Sequence, residues 1–331
     1  MKEKVFVSAV VYTRNEQAVA GERIKLLDDV LYRTFEHYEI IVVNDGSTDG
    51  TLQRLRDTSR DLHESLIVIN LSREHGLEKA MMAGLIKSMG DFVIEIDSIV
   101  MDFDLNRIPE MYQTALKGFD IVVLAPESNP SFTSGMFYKV INKVTYLNLD
   151  LKTETARLVS RRALNAMLNL KEKVRYRKAL YAYTGYLKTE LLYNSAERKF
   201  LAKKKINREN ISTAFDIIVS FSNFGLKSSH YLSFIFLCFS LFMGAYAMYN
   251  YFFNQSVVAG WTTLMILISL GFAGMFFIIG MLGEYISRIM IEIQDRPFYT
   301  VRSVEILRPV NSEISELTQS LSEVAAGKQN D

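Results

Sequence analysis

Apolar residues fall into two patterns along this chain. As far as about residue 130, short apolar runs alternate with segments of helical period. Val5–Val11, Glu39–Val43, Leu66–Asn70, Asp91–Ile96 and Ile121–Leu124 read as strands, and stretches such as Ala80–Ser88 read as helices. The strands are largely apolar rather than alternating, which predicts an α/β domain with a mostly parallel sheet covered by helices on both faces. The second pattern begins at Tyr231. Tyr231–Phe253 and Val257–Gly283 each lack any charged residue, and each exceeds the ~20 residues that cross a hydrocarbon core. Only Asn254-Gln255-Ser256 separates them, so the pair reads as a hairpin of two transmembrane helices.

This divides the chain into an α/β domain over residues 1–200, a basic juxtamembrane segment over 201–228, apolar helices over 229–253 and 257–283, a segment over 284–310 and a tail over 311–331. Lys203, Lys204, Lys205, Arg208 and Lys227 precede the hairpin and Arg288 and Arg296 follow it, while its turn is uncharged. Basic flanks stay on the cytoplasmic side. Both termini are therefore expected there, in a cytoplasmic membrane. In the tail, Ile314, Leu317, Leu321 and Val324 recur at helical spacing. That pattern fits either a self-association seam in a homo-oligomer or a frayed end.

Composition narrows the chemistry. The net charge is +1, so nothing global points to nucleic acid, and basic character is local. The single cysteine, Cys238, lies inside the first apolar run, which excludes an internal disulfide and a cysteine-built metal site. Met1-Lys2-Glu3-Lys4 runs directly into the first strand, with no signal-peptide pattern.

Ligands of doubly wound sheets bind beyond the carboxyl ends of the strands, and the short polar motifs fall there. Thr13-Arg14-Asn15-Glu16 follows the first strand, Asn44-Asp45-Gly46-Ser47-Thr48-Asp49-Gly50 the second, and Asp97-Ser98 the fourth. Asp45 is placed to accept from a pyrimidine N–H, and Asp97 to reach a diphosphate through a divalent cation. The second motif also reads as an ordinary turn with a helix N-cap. The expected donor-binding set is Thr13, Asn15, Glu16, Asn44, Asp45 and Asp97, with Asp97 as the metal ligand.

Several longer stretches carry a likeness. They are Tyr38–Thr51, Leu71–Gly76 with Ala80–Gly84 leading to Gly90-Asp91 and Asp97, Arg157–Arg162, Asp216–Ser222, Gly283–Arg288 and Arg296–Tyr299. In this order, over roughly residues 5–305, the chain resembles the family 2 glycosyltransferases with the GT-A fold. Within them it is similar to the polyprenyl-phosphate branch, related to dolichyl-phosphate mannose synthase and the bacterial GtrB-type enzymes. The resemblance implies an inverting transfer of sugar from a nucleotide-diphosphate sugar to polyprenyl phosphate at the cytoplasmic leaflet of a bilayer. It also implies Asp97, Arg157 and Arg198 as catalytic groups, and a weakly held, donor-dependent Mg²⁺ or Mn²⁺. Arg175, Lys178, Lys203 and Lys204 are the expected lipid-phosphate contacts. The lysine run reads equally as a flank drawn to anionic lipid, at ~1 kcal/mol per residue.

The chain departs from the family pattern at four places. Ile99 stands where Asp-x-Asp has its second acid, Thr155 where an acid precedes the arginine stretch, and Asn44 where an aspartate is usual. Leu201–Lys205 replaces a Gly-x-(Ser/Thr)-(Lys/Arg)-Tyr pattern. Glu95 should share the face of Asp97 along a regular strand, and Glu154, Asp102 and Asp104 lie close by in sequence. These departures predict either an enzyme working without the usual metal clamp, in which Ile99→Asp tightens metal-dependent binding, or a silent homologue serving as a scaffold. His75 reads as a non-catalytic polar residue in preference to a base.

Overall fold

The computed structural model describes residues 2–127, 154–170, 176–193, 260–293 and 297–309, with scattered positions between 231 and 253. It divides into two compact units, one containing the sheet and the other residues 139–149 and 206–296.

The first unit opens with β1 (Glu3–Thr13), α1 (Ala20–Thr34), β2 (Phe35–Asn44), α2 (Thr51–Ser59), β3 (Leu66–Leu71), α3 (Leu77–Lys87), β4 (Phe92–Ile96), α4 (Arg107–Ala115) and β5 (Ile121–Pro126). All five expected strands form. Helix α1 buries Ala20, Ile24, Leu27 and Leu31, a stripe of period near 3.6 that packs on the sheet. Helix α3 lies tight against the sheet at Gly84, where a Cβ would collide with Val10 and Val43. The core is built from the central strands and these helices, with Val7, Val11, Ile40, Val42, Ile94 and Ile96 among its fully or almost fully buried members.

Three further strands complete the sheet: β6 (Ala156–Ser160), β7 (Lys188–Tyr193) and β8 (Val301–Leu307), with α5 (Arg161–Leu168) and α6 (Arg177–Thr184) between β6 and β7. The order is β7-β5-β6-β4-β1-β2-β3-β8. The sheet is mixed, with a parallel majority. Four of the seven pairings are parallel, and β6 with both neighbours and β8 with β3 are antiparallel. Strand β1 pairs in parallel with β2 on one side and β4 on the other. Successive connections diverge there, which opens a crevice at the carboxyl ends of β1 and β4.

The segment after the apolar runs is an integral part of this sheet. Besides the β8 ladder, Ser72 N–H donates to Thr300 O at 2.9 Å, and Asn70 Nδ2 donates to Ser303 Oγ and Glu305 Oε1 at 3.1 and 2.9 Å. Arg56 holds Glu305 through two bonds of 2.8 and 2.9 Å.

In the second unit, α7 runs from Trp261 to Ile293, 33 residues. It continues past Gly283, where the uncharged run ends, and includes Glu284 and Arg288. Among the described residues, no helix is long and apolar enough to cross a membrane. The α7 backbone is nonetheless continuous, about 50 Å long at 1.5 Å per residue. Ring atoms of Phe236, from the first apolar run, occupy the space beside Gly274 where a Cβ would go. The basic segment 201–228, the turn at 254–256 and the tail 311–331 lie outside the described residues.

Candidate active site

Three loops meet at the carboxyl ends of β1, β2 and β3. Gly46 adopts φ +62°, and a Cβ there would stand 2.7 Å from the Arg73 carbonyl carbon, so this turn requires glycine. Around it, a ladder of side-chain-to-backbone bonds joins the loops after β1 and β2. Asn15 N–H donates to Ser47 Oγ at 3.0 Å, Thr48 N–H to Asn15 Oδ1 at 2.8 Å, and Glu16 N–H to Thr51 Oγ1 at 2.9 Å. Asn44 donates to Asn70 Oδ1 at 2.9 Å and accepts from Ser47 N–H at 3.3 Å. Burial first, then the nearby Asp49, raises the Glu16 carboxyl above its ordinary range.

Asp45 is fully buried. Its oxygens accept from His75 N–H at 2.8 Å, Gly76 N–H at 2.9 Å and Tyr12 Oη–H at 3.2 Å. The carboxylate thus shapes the 73–76 loop, in addition to whatever it offers a ligand. His75 is absorbed in the same way: Nδ1 meets Arg73 O at 2.7 Å and Nε2 accepts from Thr300 N–H at 3.2 Å. A ring donating at Nδ1 and accepting at Nε2 has no lone pair left for general base work. Thr13 is the exception among the donor set. Its buried hydroxyl has no hydrogen-bond partner among the described residues. A hollow of about 530 Å³ beside these loops is lined by Asn15, Glu16, Gln17, Ala18, Asp49 and Arg54, and includes neither Asp45 nor Asp97.

The densest chemistry lies at the ends of β4 and β6, beneath α6. Glu95 and Asp97 share a face of the β4 end, as their spacing predicts, and Glu95 is paired with Arg157 across the β4–β6 ladder. Arg157 Nη1 donates to Glu95 Oε2 at 2.8 Å, and its Nε and Nη2 donate to Glu154 Oε2 at 3.2 and 2.6 Å. Arg177 Nη1 also donates to Glu95 Oε2, at 2.6 Å, its Nη2 to Asp97 Oδ1 at 2.7 Å, and its Nε to Glu78 Oε2 at 2.9 Å. Lys188 Nζ meets Glu154 Oε1 at 2.7 Å, and Tyr181 Oη–H donates to Glu95 Oε1. Arg157 is 3% exposed, Arg177 0% and Glu95 1%.

Pairing outweighs desolvation for Asp97 and Glu154. Burial alone would raise the Asp97 carboxyl, yet Arg177 and Arg157 hold it below the ordinary carboxylate range. Burial likewise opposes Glu154, but Arg157, Lys178 and Lys188 bring it down to about 2. Lys178, set among the same groups, is lowered by its burial despite Glu154 nearby.

The Arg157 guanidinium lies buried between Glu95 and Glu154, where β4 and β6 meet. Ile99 does not stand at an open ligand position. It is 0% exposed within the hydrophobic core, its N–H bonded to Tyr12 O at 2.8 Å. Thr155 directs its hydroxyl to Leu124 O at 3.0 Å, and Asp104 accepts from Asn106 N–H at 2.9 Å ahead of α4. Neither replaces the missing acid. Glu95 does not replace it either, being spent on two arginines and a tyrosine. Arg175, Arg198, Lys203 and Lys204 lie outside the described residues. Sequence reading grouped Arg177 with the basic residues expected to face lipid phosphates, and did not foresee its pairing with Glu95 and Asp97 once α6 folds over β4.

The same architecture appears in known proteins by sequence. Residues 8–168 match the family described as glycosyl transferase family 2. An uncharacterised glycosyltransferase of Synechocystis is 33% identical over 89% of this chain and 94% of its own length. An uncharacterised glycosyltransferase of Bacillus subtilis is 30% identical over 91% and 95%. A prophage-derived bactoprenol glucosyl transferase of Shigella flexneri is 30% identical over 89% and 97%.

Proposed function

The chain belongs to glycosyl transferase family 2, and on that premise we propose that it moves a sugar from a nucleotide-diphosphate donor to polyprenyl phosphate at the cytoplasmic face of a membrane, inverting the anomeric carbon. The acceptor is argued from one observation, the commitment of the cluster's acids. Glu95, Asp97 and Glu154 are each held by an arginine, and Asp97 and Glu154 are held at depressed pKa. Transfer to a hydroxyl calls for a base whose pKa lies near the working pH, and these carboxylates are poor bases. A phosphate acceptor is already an anion. One of its oxygens bonds to the anomeric carbon while the carbon–oxygen bond to the diphosphate breaks, and that electron pair leaves with the nucleoside diphosphate. The relative named a bactoprenol glucosyl transferase supports the same class of acceptor.

Catalysis of this kind rests on positioning and charge compensation. Thr13, whose hydroxyl has no partner among the described residues, and Asn15, Glu16, Asn44 and Asp45 form the donor side, on loops tied to one another. Asp97 offers one oxygen to Arg177, while its second takes no hydrogen bond among the described residues. That is a fit for a cation held by one carboxylate, with water and the donor diphosphate supplying the other ligands, a coordination Mg²⁺ accepts. When bound, the cation neutralises charge on the leaving diphosphate. Lys178, beside Asp97 and Glu154, is the described candidate for lipid-phosphate contact, with Arg175, Arg198, Lys203 and Lys204 proposed alongside it.

A bilayer setting is part of this proposal, and the exposed apolar side chains of α7 support it. Met275, Phe276 and Phe277 are all exposed, and consecutive helical residues point about 100° apart. Apolar surface on so many sides is stable only where none of them meets water. Both flanks of the apolar pair are proposed to lie on one side of the membrane, a reading that the pairing of β8 with β3 supports.

The experiment is transfer from labelled nucleotide-sugars to polyprenyl phosphate by the full chain in detergent. Labelled lipid that disappears in Asp97→Asn supports the proposal, and transfer unaffected by that change contradicts it.

A further inference from the structure

Arg177 opens α6 with every donor aimed at an acid. Its backbone N–H and its Nε both meet Glu78 Oε2, at 3.0 and 2.9 Å, while Nη1 and Nη2 meet Glu95 and Asp97. Three carboxylates, one from the first turn of α3 and two from the end of β4, therefore converge on one fully buried guanidinium. A guanidinium cannot be deprotonated in a protein, so this charge is permanent.

Among the described residues the balance around it is even: Glu78, Glu95, Asp97 and Glu154 face Arg157, Arg177, Lys178 and Lys188, four groups of each sign. A dication arriving alone would find no surplus negative charge, and a positive neighbour bonded to the same carboxylate. A family-type acid at position 99 would have supplied that surplus, and in this chain the position belongs to the core. A cation arriving with a nucleoside diphosphate brings compensating anions with it.

We propose that Arg177 is the resident counter-cation of Asp97, a positioning residue that aims this carboxylate at the donor and denies it to divalent metal arriving without a diphosphate. The proposal rests on the reading of Asp97 as the donor-side carboxylate.

The test is a titration of the full-length protein in detergent with Mn²⁺ alone, read by the paramagnetic resonance signal of the free ion, and repeated with UDP present. Arg177→Gln removes the charge, and Arg177→Lys keeps the charge while losing the fork. Arg177→Gln is expected to bind Mn²⁺ alone at least about tenfold more tightly than wild type, and Arg177→Lys to stay near wild type. A second change, Asp97→Asn, should remove the gain. A purely structural role for Arg177 would weaken both variants alike, so equal behaviour of Gln and Lys overturns the proposal, as does a gain that survives Asp97→Asn. Should Arg177→Gln fail to fold, wild type decides: Mn²⁺ binding that appears only with UDP supports the proposal, and equally tight binding without UDP overturns it. Failure of UDP to bind, with the Gln gain intact, would count against the donor reading and leave the role of Arg177 standing.

Discussion

Arg157 and Glu154 were adjacent features in the sequence, one matching the family and one displaced from it by a single position. In the folded protein they are a single unit with Glu95, because a buried charge is tolerated only when paired. Composition of the motif was legible from the chain. The direction of each side chain was not, since it depends on β6 entering the sheet antiparallel to β4. Ile99 is the clearest case. Read as a missing ligand, it invites restoration by Ile99→Asp; read in the core, it does not. That substitution should destabilise the protein by at least about 3 kcal/mol, through the lost apolar packing and a buried unpaired acid. The midpoint of chemical unfolding measures this, and an unchanged midpoint would mean the side chain faces solvent. Glu154 gives a second test. Its folded pKa of about 2 lies below the unpaired value of 4.5, so its stabilisation is complete above pH 4.5 and is lost as pH falls toward 2. Acid unfolding of wild type should steepen across that window, and Glu154→Gln should flatten it while lowering stability at neutral pH.

At the scale of elements, five strands were readable because each is a nearly continuous apolar run at the centre of the sheet. Strands β6, β7 and β8 were not. Ala156–Ser160 is five residues long and carries Arg157, and Val301–Leu307 is only half-covered, at the sheet edge. Nothing in local pattern announces that a segment beyond a long apolar helix returns to pair with residues 66–71. The same return bonds Thr300 to Ser72 and His75. A chain ending at Ile293 would leave β3 as an exposed edge, open to pairing with other chains. It should aggregate or show lost hydrogen-exchange protection over Leu66–Leu71. Full protection there without residues 297–309 would show that β8 is dispensable.

For the molecule as a whole, length and charge alone predicted the apolar pair, while among the described residues no helix is long and apolar enough to cross a membrane. Tags at the two termini of the protein in intact cells should both be reachable only from the cytoplasmic side. One tag reachable from outside would separate β8 from β3 by a membrane and contradict the sheet itself. The central claim is narrower: a site whose acids are locked to arginines passes its sugar to an acceptor that is already an anion. It is tested most directly by offering the purified protein, with one labelled nucleotide-sugar, either polyprenyl phosphate or the matching polyprenol. Labelled product from the phosphate with none from the alcohol is the predicted result. Comparable transfer to the alcohol would demand a base among the described carboxylates and contradict this account, and transfer to neither would favour a silent homologue.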